Sequence, residues 1–94
     1  MDERFVVVTT DKDRRGVFSG VLVKHEGDVV ELKNARMCVY WSEATRGVLG
    51  LASIGPQKGS KISPCIPGIT LNGVTSIMDT TSPARLLWEE EPWA

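Results

Sequence analysis

The sequence predicts a mainly β domain, a small and partly open antiparallel barrel of five or six short strands with a short C-terminal helix. Three observations carry that expectation. Val17 to Lys24 is rich in β-branched and aromatic residues and holds one glycine, Gly20, where a strand would bend sharply or approach another backbone. In Val29 to Lys33, Val30 and Leu32 alternate with Glu31 and Lys33, the pattern of a strand with one dry and one wet face. Pro64 and Pro67 exclude a helix from the stretch Ser63 to Gly68 and confine it to a sheet edge or an irregular crossing.

Taken in order, Phe5 to Thr10 (FVVVTT) has the composition of a buried strand. Asp11 to Gly16 is a charged, glycine-closed connection, either a solvated hairpin loop or a place where Arg14 and Arg15 meet a phosphate at the barrel rim. Gly16 to Trp41 then reads as three consecutive strands. A turn at His25-Glu26-Gly27-Asp28 and a short connection at Asn34-Ala35-Arg36 separate them, and Met37 to Trp41 is apolar on both faces.

Ser42 to Gly47 reads as a single helical turn or a loop, capped by Ser42 and stopped by Gly47. Val48 to Ser53 fits either a strand or a short helical turn. Ile69 to Met78 reads as one strand with a bulge at Asn72-Gly73, a hairpin there being the alternative. Ser82 as N-cap and Pro83 at the first helical position open the C-terminal helix, which turns Ala84, Leu87 and Trp88 towards the sheet. Glu89 to Glu91 lie at the unfavourable end of its dipole, and the helix covers either the barrel mouth or a subunit contact. The resulting architecture is of the kind that SH3-like folds adopt.

Composition narrows the function. The 94 residues make one domain, 1–94, whose modest core would gain from a homo-oligomer. Eleven basic and twelve acidic side chains give a formal charge of −1, so no global basic field exists to hold a nucleic acid. Cys38, Cys65 and the single histidine match no zinc spacing, and reduced thiols fit the cytoplasm. MDERFVVV is not a secretory signal, and no run nears the ~18 apolar residues of a membrane span. The expectation is a cytoplasmic protein without metal or cofactor.

Catalysis finds little support. His25 reads as a surface residue, Asp28 and Glu31 as solvated carboxylates, Cys38 as a buried hydrophobe, and Cys65 as a thiol with no activating neighbour in sequence. The expectation is a protein that is not an enzyme.

Binding is better served. Tyr40 and Trp41 offer rings for stacking, and Arg46 offers a guanidinium for phosphate. Gly55 to Lys61 (GPQKGSK) reads either as a generic surface turn or as a glycine-rich anion site with Lys58, Ser60 and Lys61. It is not a Walker A loop, since no helix follows.

Two resemblances add context. Gly16, Gly20, Leu22, Val30, Leu32, Asn34 and Ala35 resemble the first signature of Sm-like RNA-binding proteins over about a fifth of the chain. More extensively, VVVTT, RGVFSG, CVYW, RGVLGLASIGPQKGSKISP and TLNGVTSI resemble a family of short phage and prophage proteins of unknown function. That resemblance implies a small viral accessory protein at work in a bacterial host cell that deploys defence systems, and it brings no catalytic residues.

The expected function is therefore anti-defence. A homo-oligomeric sponge would hold a nucleotide-derived immune signal without cleaving it, through Tyr40, Trp41, Arg46, Lys58, Ser60 and Lys61. One rival is a protein inhibitor whose contact surface is Trp88, Trp93 and Glu89 to Glu91. The other is an Sm-like module for single-stranded nucleic acid.

Overall fold

The computed structural model describes residues 3–10 and 16–90, with the side chain of Glu90 excluded. Arg14, Arg15, Glu91 and Trp93 lie outside the described residues. Six antiparallel strands form the fold: β1 (Phe5–Thr10), β2 (Gly16–Glu26), β3 (Val29–Tyr40), β4 (Lys61–Ile62), β5 (Ile66–Leu71) and β6 (Val74–Asp79). Two short helices join them, α1 (Gly47–Ser53) and α2 (Ser82–Glu90).

The strands run β4-β3-β2-β1-β6, and β5 shares the outer edge of β3 with β4. Strands β5 and β6 therefore stand at opposite ends of the sheet, four inter-strand gaps apart, yet only Asn72 and Gly73 separate them. In a flat sheet those gaps of about 4.8 Å would add to about 19 Å. The link reaches at most about 10 Å. The sheet must therefore curl until its ends approach, which is the partly open barrel. Gly73, at φ 70°, and the Val74 N–H donating to the Asp28 carbonyl at 3.0 Å hold the corner.

Asn72-Gly73 is accordingly neither the bulge nor the hairpin expected. The two flanking strands pair with different partners, β5 with β3 and β6 with β1. The bend comes from elsewhere. Opposite Gly20, β3 carries one extra residue, and Asn34 there takes a left-handed φ of 52°. A Cβ on Gly20 would sit 3.0 Å from the Lys33 carbonyl oxygen, so the close approach needs glycine. Asn34-Ala35-Arg36 is thus a bulge inside one twelve-residue strand, and Gly16 to Trp41 holds two long strands rather than three.

The bulge also changes which face each side chain meets. Val30 and Leu32 point into the curl, and the extra residue moves the next inward position to Ala35. Arg36 and Cys38 thereby turn to the outer face, where Cys38 joins the cluster beneath the helices. Strand β1 is buried on both faces. Val6 and Val8 enter the inner cluster with Val30, Leu32 and Leu71, while Phe5 and Val7 enter the outer one with Leu51, Ile62 and Trp88. That double burial explains the unbroken apolar run of FVVVTT.

Between β3 and α1, Glu43–Thr45 forms a single 3-10 turn that ends at Arg46 in the left-handed region, and Gly47 opens α1 rather than stopping the turn. Ser42 occupies the N-cap position of that turn without a side-chain capping bond. Val48 to Ser53 is helical, the second of its two expected forms. Gly55, at φ 85°, ends α1 by donating its N–H to the Gly50 carbonyl at 2.9 Å.

Helix α2 is capped by Thr81, one residue before the expected Ser82. The Thr81 hydroxyl accepts from the Ala84 N–H at 3.1 Å and donates to the Ser53 carbonyl at 2.8 Å. Ala84 and Trp88 face the core as expected, whereas Leu87 is partly exposed. Trp88 is completely buried, and its indole N–H donates to the Leu51 carbonyl at 2.9 Å. No helix among the described residues is long and apolar enough to cross a membrane.

Two substitutions test this packing. Trp88→Ala removes the largest fully buried side chain and its bond to α1, and should lower unfolding free energy by about 3–5 kcal/mol in urea titrations. A loss under about 1 kcal/mol would show that α2 is not docked. Gly50→Ala would be favourable in an exposed helix by about 1 kcal/mol. Here its Cβ would fall 1.5 Å from the Thr45 carbonyl oxygen, so the variant should instead lose stability.

Candidate functional site

The six residues expected to bind ligand gather at one end of the fold, where β3 leaves the sheet. Tyr40 pairs with Lys61 across the β3–β4 ladder. The Ser60 hydroxyl accepts from the Ser42 N–H at 3.0 Å and lies 3.2 Å from the Thr45 hydroxyl, which itself accepts from the Gln57 N–H at 3.0 Å. These bonds tie the segment carrying Trp41 and Arg46 to the loop carrying Lys58 and Lys61. Arg46, Lys58 and Lys61 are exposed, as is Tyr40, while Ser60 is buried with its oxygen turned into this network. The Ser60 N–H also donates to the Gln57 carbonyl at 3.0 Å. The loop from Gly55 to Lys61 is thus held from within, and Ser60 acts by fixing the two lysines' backbone.

Trp41 and Val48 pack partly against the outer core and line a cleft of about 420 Å³ with Val17, Met37 and Val39. That volume falls within the ordinary range for small-molecule sites. Val39, at 64% exposure, leaves one wall apolar and accessible. Of the six expected residues, Trp41 is on the cleft wall. Of the cations, Arg46 stands two residues before Val48 of the wall, and Lys61 pairs with Tyr40, the neighbour of Trp41. A flat apolar group suits the lining of this cleft.

A second cleft, of about 230 Å³, escaped sequence reasoning. It lies between the β2–β3 bulge and the end of α2, with Ser19, Asn34, Arg36 and Trp88 among its lining residues. The signal was present in the sequence as a serine in the buried row Val17, Ser19, Val21, but its meaning depends on α2 folding over it. A third, of about 220 Å³, is lined by ions that already pair. Arg4 meets Asp79 at 2.7 Å, and Arg85 meets Glu3 at 2.7 Å while lying 5.0 Å above the Phe5 ring. The hydrogen bond from Arg85 holds the Glu3 carboxyl below its usual range. The Arg85 contacts link α2 to the start of β1, and Arg4–Asp79 links that start to β6.

Chemistry at other candidate groups is limited by their surroundings. Among the described residues no three His, Cys, Asp or Glu side chains gather as a metal site would require. The His25 ring N–H donates to the Gly27 carbonyl at 3.0 Å within its own turn. Burial pushes the Cys38 thiol up to about 11, whereas Cys65 is exposed. The contact surface expected for a protein inhibitor is also revised. Trp88 is core and not surface, Glu89 is exposed on α2, and Glu91 and Trp93 lie outside the described residues.

A family model described as a domain of unknown function (DUF6948) matches residues 3–88, and the chain belongs to that family. No curated protein matches it. No solved structure matches it either.

The difference between the two thiols is directly measurable. At pH 8 a thiol-specific reagent such as Ellman's should titrate one cysteine per native chain, Cys65, and two after denaturation. At pH 9 native Cys38 should still react far more slowly than Cys65, because burial both covers its sulfur and raises its pKa to about 11. Equal reaction of both native thiols would contradict this placement.

Proposed function

We propose that this DUF6948 domain is a binding protein that sequesters a nucleotide-derived small molecule in the Trp41 cleft and does not turn it over. The base stacks on Trp41, with Tyr40 beside it, and the phosphates meet Arg46, Lys58 and Lys61 at the margin. The observation that supports the reading most is the position of Trp41 on the wall of a 420 Å³ cleft, on a segment bonded through Ser42 and Ser60 to the lysine-bearing loop. A site held in advance by such bonds limits the ordering cost of association, which is what tight binding without chemistry requires. The resemblance to short phage and prophage proteins supplies a setting for it, the removal of a host defence signal in the bacterial cytoplasm, and a homo-oligomer would add walls to a cleft that one chain leaves open.

Native mass spectrometry with a panel of cyclic nucleotides and cyclic ADP-ribose isomers tests this reading. A discrete assembly that gains the unmodified mass of one panel member is expected. In calorimetry, Trp41→Ala should weaken that binding about tenfold or more, since base–aromatic stacking contributes about 1–3 kcal/mol. Lys58→Ala, at an exposed loop position, should weaken it without loss of fold. Absence of any bound mass, or conversion of a nucleotide to a different mass, would overturn the proposal.

A further inference from the structure

We propose that the cleft between the β2–β3 bulge and α2 is a second ligand site, independent of the Trp41 cleft, built for one small planar ring with an amide edge. By an amide edge we mean a carbonyl oxygen beside an N–H, as in a pyrimidine base or nicotinamide. The first observation is Ser19. It is 1% exposed, lines this cleft, and its hydroxyl is a buried side-chain oxygen with no hydrogen-bond partner. Its neighbours on the same face, Val17 and Val21, are apolar and belong to the outer core. A residue of that kind at position 19 would bury without penalty, whereas an unpaired buried hydroxyl carries the cost of its lost hydration. The hydroxyl is explained if something that enters the cleft pairs with it.

The second observation is independent of the first. Asn34, in the bulge at φ 52°, lines the same cleft. A hydroxyl can donate and accept, and so can a carboxamide. Two such groups on one cleft can complement a donor and an acceptor that lie side by side on a ligand. Phe5 and Trp88, both buried, also border the cleft.

Size and charge narrow the class further. A cavity of about 150 Å³ holds benzene. At about 230 Å³ this one suits a single substituted ring. The ionic groups at the cleft are already engaged, Glu89 with Arg85 at 3.0 Å and Arg36 with the Trp88 carbonyl at 2.7 Å. A neutral ligand therefore fits better than an ion.

Uracil and nicotinamide are the probes, with 1,3-dimethyluracil as the ring that lacks an N–H. In ¹H–¹⁵N spectra of the intact chain, either probe at millimolar concentration should shift the amide signals of Ser19, Gly20 and Asn34. It should also slow alkylation of Cys65, which lines the same cleft, and 1,3-dimethyluracil should do neither. Which of the two probes acts identifies the source of the amide edge. Ser19→Ala should weaken probe binding at least fivefold while raising the melting temperature of the free protein. Asn34→Gly, which keeps the left-handed backbone and deletes the carboxamide, should weaken binding as well. The proposal is overturned if neither probe shifts these signals, if dimethyluracil binds equally, or if both variants bind as the parent does.

Discussion

Two residues join the strands at the opposite ends of this sheet, and most of the structure follows from that short reach. A sheet so tethered has to curl, and curling concentrates strain where one strand must turn inside another. The chain meets it with a glycine on β2 and an extra residue on β3, at Gly20 and Asn34. A further irregularity at Val23, where β2 carries a residue without a partner, continues the bend towards the turn. Because each bulge reverses the sense of alternation, the curl also decides which side chains face inwards. It leaves an inner cluster inside the curl and an outer one that the helices cover.

The outer layer is held by polar contacts as well as by apolar ones. The Trp88 indole reaches the Leu51 carbonyl, the Thr81 hydroxyl joins the end of α1 to the start of α2, and Arg36 donates to the last turn of α2. Each bond satisfies a carbonyl at a helix end that would otherwise lack a partner. The same economy shapes the end of the molecule around Trp41. There Ser42, Thr45, Gln57 and Ser60 lock two loops together with hydroxyls and backbone groups, and the charged side chains stay outside. Rigid backbone and exposed cations are thereby combined within a few residues.

Features governed by local chemistry were legible in the sequence. FVVVTT announced a buried strand, Gly20 a bend, and the prolines an edge or irregular crossing, the first of which Pro67 occupies on β5. Features governed by distant partners were not. Asn34 and Asn72-Gly73 have the residue types of turns because both sites need positive φ, but only the pairing of their flanks distinguishes a bulge or a sheet corner from a loop. The fate of Trp88 depended on α1 lying beneath it. The six candidate ligand residues do share one end of the fold, yet the inward turn of Ser60 follows from Ser42 and Thr45, 18 and 15 residues away. Ser19 shows the same limit, since an ordinary serine in a strand becomes an anomaly only when a helix covers it.

The pairing of the first strand with the last has a consequence for how the molecule is made. The carbonyl of Phe5 receives its bond from Thr80, 75 residues further along the chain, and β1 gains its second neighbour only with β6. During synthesis, β1 to β3 can form a meander early, but one edge of β1 stays bare until the ribosome has released β6. The outer cluster waits longer still, for Trp88. Completion of both cores thus waits until the residues through Trp88 have emerged, and a chain interrupted before β6 would carry a valine-rich strand edge open to its neighbours.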